Sequence, residues 1–130
     1  MIPTTTGAAK SIGQVMPELA GKLDGMSIRI PTPNVSLIDL VATVRKKARR
    51  DDVNGAFRKA ADGPLIGILS CSEEPLVSID FNGTWESAIV DTALTSVIDD
   101  QLVKILAWYD NETGFSHRML DITDRVSKSL

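Results

Sequence analysis

Ten residues, Ser36 to Arg45, constrain the fold more than any other stretch of this chain. Ile38, Leu40, Ala42 and Val44 fall on one face, while Asp39, Thr43 and Arg45 fall on the other with Val41. Successive side chains of an extended backbone point to opposite sides, so an apolar period of two predicts a strand. A strand with one apolar face has to lay that face on helices or on another sheet. Whatever surrounds Ser36–Arg45 must therefore supply a sheet and a covering layer.

The neighbouring segments supply both. After a Thr-rich turn, Gly7-Ala8-Ala9-Lys10-Ser11-Ile12 predicts a short helix, limited by Gly13 and Pro17. Met26 to Ile30 predicts a short strand that ends at Pro31-Thr32-Pro33. Asp51 or Asp52 suits the N-cap of a helix through Ala61, with Val53, Ala56, Phe57 and Ala60 as its apolar stripe. Gly63-Pro64 stops it. Strands are then expected at Ile66–Leu69, Leu76–Phe81 and Ser87–Val90, with Asn82-Gly83 as a turn between the last two. Val97 to Trp108 is ambiguous by period; Asp99-Asp100-Gln101 favours a turn followed by a strand from Leu102 to Trp108. Thr113 to Ser127 closes as a helix with Phe115, Met119, Ile122 and Val126 roughly aligned. The expectation is α+β: a mixed, mostly antiparallel sheet packed with two or three helices, in a single domain spanning residues 1–130.

Composition removes several classes of function. A net charge of −3 and a pI near 5.1 argue against nucleic acid or an anionic membrane as partner. The basic run Arg45-Lys46-Lys47-Arg49-Arg50 is followed at once by Asp51-Asp52 and reads as a solvated strand-to-helix connection. One cysteine, Cys71, excludes an internal disulfide and fits a reducing compartment, so the cytoplasm is expected. No stretch approaches the ~20 apolar residues of a membrane helix, and the first residues lack the layout of a signal peptide. One Cys and one His cannot build a zinc site, and no metal is expected. Cys71, in Leu69-Ser70-Cys71-Ser72-Glu73, has no nearby histidine and reads as a small buried or semi-buried thiol. His117 reads as a surface or packing residue of the last helix.

Three places can carry chemistry. Thr6 and Gly7 put a hydroxyl and free backbone N–H groups before a helix, which serves either as a cap or as an anion site. Arg29, between Ile28 and Ile30, either pairs with a carboxylate or offers its planar fork to an oxyanion. Asn111 either caps a helix or, through an amide that both donates and accepts, binds a carboxamide. The residues alone leave each of these pairs open.

Four ordered segments add a resemblance: Ile2-Pro3-Thr4-Thr5-Thr6-Gly7-Ala8-Ala9-Lys10, Ile28-Arg29-Ile30-Pro31-Thr32-Pro33-Asn34-Val35-Ser36, Leu76-Val77-Ser78-Ile79-Asp80-Phe81-Asn82 and Trp108-Tyr109-Asp110-Asn111-Glu112-Thr113-Gly114-Phe115-Ser116. Together they resemble the C-terminal half of the phosphorylating glyceraldehyde-3-phosphate dehydrogenases, essentially over the whole chain. The resemblance implies the mixed sheet of that family's catalytic domain. It implies that Thr6 and Gly7 hold inorganic phosphate, that Arg29 contacts phosphate groups, and that Asn111 orients the nicotinamide of NAD through its carboxamide. Thr113 and Phe115 depart from the aromatic and the tyrosine common at those places. Thr6-Gly7-Ala8-Ala9 matches the glyceraldehyde type better than the erythrose-4-phosphate type.

The family's Ser-Cys-Thr-Thr-Asn nucleophile motif, its catalytic histidine motif and its Gly-x-Gly-x-x-Gly nucleotide loop do not occur in these 130 residues. No catalytic residue is therefore assigned, and the chain alone is expected to be inactive and to bind no NAD tightly. Its expected partners are phosphate or a sugar phosphate, held weakly, and either further copies of itself or a complementary N-terminal half. The alternative is a stand-alone, non-catalytic assembly module derived from such an enzyme.

Overall fold

The computed structural model describes residues 1–129, in two compact units, one from Met1 to Pro33 and one from Asn34 onward. In the first unit, strand β1 (Ile2–Thr5) pairs antiparallel with β2 (Met26–Arg29), with Ile2 opposite Arg29 and Thr5 opposite Met26. Thr4 and Thr5, expected in a turn, are thus strand residues, as β-branched side chains favour, while Thr6 follows the strand. Helix α1 (Ala8–Val15) and a 3₁₀ turn (Pro17–Leu19) lie between the two strands in sequence.

The second unit is built on a four-stranded sheet. Its elements in order are β3 (Ser36–Thr43), α2 (Arg50–Ala61), β4 (Leu69–Ser72), a 3₁₀ turn (Ser78–Phe81), β5 (Ala88–Ile98), β6 (Leu102–Tyr109) and α3 (Asn111–Ser127). The strand order is β3-β6-β5-β4; β4 runs parallel to β5 and the other pairs are antiparallel. This is the mixed, mostly antiparallel α+β architecture expected from the sequence.

The core sits where the alternation of β3 points. Val90 on β5 and Val103, Ile105 and Ala107 on β6 are buried, with Ala42, Val44, Leu69 and Cys71 from the sheet and Val53 and Phe57 from α2 packed against them. Helix α2 covers only part of this face, for Ile38 and Leu40 of the edge strand β3 remain 45% and 38% exposed. An apolar cleft of about 480 Å³ opens between α2 and the sheet, lined by Val53, Ala56, Phe57, Ala60, Val103 and Ile105 among others. On the opposite face, Phe81 stacks on Trp108 at 5.2 Å and joins Val35, Ile89 and Leu76 in a second cluster.

Four local expectations are corrected. Leu76–Phe81 is not a strand. The Asp80 carboxylate accepts from the Val77 N–H at 2.8 Å, and Ser78–Phe81 winds into a 3₁₀ turn that buries Phe81 and exposes Val77 and Ile79. The turn at Asn82-Gly83 is real, closed by Thr84 N–H to the Phe81 carbonyl at 3.2 Å with Gly83 at φ 80°, but it joins no hairpin. The strand expected at Ile66–Leu69 starts only at Leu69, because Leu65 and Ile68 bond back into turns and Gly67 takes φ 72°. Helix α2 starts earlier than expected: Arg49 is its N-cap, and Asp52 accepts from the Arg49 N–H at 2.9 Å from the N3 position. The basic connection before it is mostly solvated, yet Arg50 donates to the carbonyls of Thr92 and Ala93, and Lys47 pairs with Asp100 at 3.6 Å.

Helix α3 packs through a glycine. A Cβ on buried Gly114 would stand 3.1 Å from the Glu86 carbonyl oxygen and 3.7 Å from the Ser87 Cα. Gly114→Ala gains up to ~1 kcal/mol of helix propensity but overpacks a backbone contact, which costs ~1–3 kcal/mol. A net loss of about 1 kcal/mol is expected, read as a lower urea midpoint. A midpoint at or above that of the parent would mean that the Glu86 segment yields freely.

Candidate functional site

The β6–α3 junction is built around a buried carboxylate. Asp110, only 1% exposed, has extended backbone angles and is the N-cap of α3. Its Oδ1 accepts from the N–H groups of Glu112 at 3.0 Å and Thr113 at 2.9 Å. Its Oδ2 accepts from the Gly83 N–H at 2.8 Å and from the Asn34 side-chain amide at 2.9 Å. That amide also donates to Asn82 Oδ1 at 2.7 Å. The hydrogen bond from the Thr113 N–H does most to lower the Asp110 pKa; burial opposes it, and the Gly83 and Asn34 bonds add to it. The outcome is a fall from 3.8 to about 2.

Asn111 follows directly as the first residue of α3 and is exposed. Of the two roles open to it in the sequence, capping falls instead to Asp110. The Asn111 amide faces solvent on a backbone fixed from both sides, by the Asp110 carboxylate before it and the close packing of Gly114 after it. Asp110 and Asn34 are the residues that sequence reasoning missed. An aspartate before a helix-forming run was a legible signal for the first; nothing local marks the second.

The other sequence-derived residues lie in the first unit. Thr6 Oγ1 accepts from the N–H of Ala8, the first residue of α1, at 3.2 Å, and a hydroxyl can donate as well as accept. Gly7 has open space where a Cβ would project. Arg29 is exposed, and no carboxylate among the described residues pairs with it. The register sets Arg29 opposite Ile2, and Thr6 follows Thr5, which lies opposite Met26. Four residues of strand, ~13 Å at the usual rise, therefore separate Thr6 from Arg29 along the ribbon. The same register puts Thr4, Ser27 and Arg29 on one face, so hydroxyls occupy the interval.

Cys71 lies on β4 in a cleft with Arg58, Asp62, Glu73 and Glu86. Burial pushes its thiol pKa up; the Arg58 charge opposes this, and Asp62 and Glu73 add to it. His117 stacks on Trp85 at 5.3 Å. Among the described residues no group of three or more His, Cys, Asp or Glu is placed to hold a metal ion, and no helix is long and apolar enough to cross a membrane.

A mixed sheet under a single helix, followed by an Asp-capped helix that presents an asparagine, defines an α+β domain with a polar site at a strand-to-helix junction. The chain belongs to the glyceraldehyde-3-phosphate dehydrogenase family: residues 1–111 match the family described as "Glyceraldehyde 3-phosphate dehydrogenase, C-terminal domain". It is 57% identical over its whole length to the glyceraldehyde-3-phosphate dehydrogenase of Geobacillus stearothermophilus, of which it covers 39%. It is 51% identical over 98% of its length to the chloroplastic enzyme A of Chlamydomonas reinhardtii, covering 34% of it. Against glyceraldehyde-3-phosphate dehydrogenase 1 of Bacillus subtilis (strain 168) it is 50% identical over 98%, covering 38%. The chain thus spans little more than a third of the length of these relatives.

Proposed function

We propose that this chain contributes the phosphate-side and nicotinamide-side residues of an NAD-dependent, phosphorylating glyceraldehyde-3-phosphate dehydrogenase, as part of its catalytic domain. The observation that carries this reading is the 57% identity over the full chain. Thr6 and Gly7 offer a hydroxyl and open backbone to a phosphate, and Arg29 offers a guanidinium that pairs with no carboxylate among the described residues. Asn111 presents an amide that can donate to and accept from the nicotinamide carboxamide. These groups suit phosphate and carboxamide; the Gly-x-Gly-x-x-Gly loop that cradles a dinucleotide does not occur in these 130 residues. NAD when bound would take up hydride; this chain's part is to orient the ring and hold the anion. The cytoplasm is the proposed compartment, although some relatives carry chloroplastic names.

The test joins the chain to the remaining N-terminal part of the Geobacillus relative and follows phosphate-dependent NADH formation. Activity is expected. Arg29→Ala and Thr6→Ala should raise KM for phosphate, and Asn111→Ala should raise KM for NAD. An active fusion that is indifferent to all three substitutions would refute the assigned roles.

A second reading, an assembly module, is favoured by one observation: the apolar side chains left uncovered. Leu37 and Val41 on β3 are 44% and 56% exposed, and Phe115, Ile122 and Val126 on α3 are 67%, 58% and 52% exposed. Edge strands and apolar surfaces of this kind favour pairing. The chain alone is expected to form dimers or larger oligomers through the sheet. Light scattering across a concentration series checks this, and a uniform 14.0 kDa species at high micromolar concentration would overturn it.

A further inference from the structure

We propose that Asn34 is a positioning residue for Asn111, acting through the Asp110 carboxylate. The proposal rests on the reading of Asn111 as the carboxamide-binding residue and adds what holds that residue in place. The two oxygens of Asp110 do different work. Oδ1 takes both N–H groups of the helix start and makes the cap. Oδ2 takes the Gly83 N–H and the Asn34 amide and ties the cap to two other segments of the chain. The orientation of Asn34 is set by chemistry: an ionised carboxylate only accepts, so the NH₂ of the amide must face it. The same NH₂ reaches Asn82 Oδ1, so Asn34 bridges the turn at Asn82-Gly83 and the helix start.

This arrangement exceeds what a cap requires. One side-chain oxygen satisfies the helix N–H groups; the second oxygen does nothing for the helix and instead fixes its first residue relative to the sheet. Asn111 is that first residue, and its side chain is exposed. An amide that meets a carboxamide through paired, in-plane hydrogen bonds depends on the direction of its backbone, because a small misplacement weakens both bonds together. Holding the oxygen that the cap does not need therefore pre-organises the Asn111 side chain before any ligand arrives.

Asn34→Ala removes the tie and leaves the cap. Asp110→Asn, with its amide oxygen toward the helix, keeps the cap and turns an NH₂ against the donors of Asn34 and Gly83. In ¹⁵N-labelled chain, both substitutions should lower the heteronuclear NOE of the Asn111 backbone amide, while the Glu112 and Thr113 amides keep their hydrogen-exchange protection in Asn34→Ala. Combining Asp110→Asn with Asn34→Asp restores a donor–acceptor pair and should recover part of the order. In the fused enzyme, Asn34→Ala should raise KM for NAD ~5–10-fold, the equivalent of about one weakened hydrogen bond, with KM for phosphate unchanged. An Asn111 amide as ordered in Asn34→Ala as in the parent overturns the proposal. A normal KM for NAD in Asn111→Ala overturns the underlying carboxamide reading instead, and does so independently of the NMR result.

Discussion

Purified alone, the 130-residue chain is expected to form no measurable NADH from glyceraldehyde-3-phosphate, NAD and phosphate. The reaction of this family begins with a thiolate attacking the aldehyde while a base takes up a proton. Cys71 cannot fill the first role. It stands on a sheet strand beside Asp62 and Glu73, and burial raises its pKa, whereas reactive cysteines have theirs lowered. His117, the sole histidine, is stacked on Trp85. Removing a nucleophile or its base from sites of this kind costs on the order of 10⁴–10⁶ in rate, against ordinary turnover of ~10 s⁻¹. Absorbance of NADH at high chain concentration is the measurement, with Cys71→Ser as control. Turnover near ~10 s⁻¹ that disappears in Cys71→Ser would overturn the assignment.

How legible the chain was differs from element to element, for physical reasons. β3 was readable because it is an edge strand with one face in the core, so its sequence alternates plainly. The sequence predicts a strand that ends at Val90, whereas β5 runs on to Ile98, because its continuation buries polar side chains. Asp91 accepts from the Trp108 indole at 3.2 Å, Thr92 donates to the Ser72 carbonyl at 2.8 Å, and a bulge between Asp91 and Ser96 breaks the period. β4 was displaced for a related reason: Leu69-Ser70-Cys71-Ser72 carries little hydrophobic contrast, and the apolar residues before it belong to turns. The Leu76–Phe81 error was a contest between an alternating pattern and a single carboxylate, and Asp80 won by capping the turn. The roles assigned to Thr6, Gly7, Arg29 and Asn111 came from resemblance, since composition and spacing by themselves favour caps and an ion pair. The structure gives the cap of α3 to Asp110 and leaves the Asn111 side chain exposed.

Asp110→Ala should be among the most damaging substitutions in the second unit, and should also change how stability depends on pH. Removing the carboxylate uncaps α3, which costs ~0.5–2 kcal/mol. It also strands the Gly83 N–H, and one of the two N–H groups of the Asn34 amide, in a part-buried place where an unpaired donor costs ~1–3 kcal/mol. A loss of about 3 kcal/mol is expected, well beyond the ~1 kcal/mol of an average substitution. The pH signature follows from the Asp110 pKa, which is lowered from 3.8 to about 2 on folding. The folded state keeps the carboxylate ionised where the unfolded chain has taken up a proton. Its contribution is therefore fully present above about pH 4 and is lost as pH falls through about 2, amounting to ~2 kcal/mol at 1.36 kcal/mol per pKa unit. Urea midpoints measured from pH 6 down to pH 2 separate the two chains: the parent should lose this increment between pH 4 and 2, and Asp110→Ala, already less stable, should fall less steeply. Parallel curves would mean that the carboxylate gains nothing from its four donors, and the junction would have to be held by packing alone.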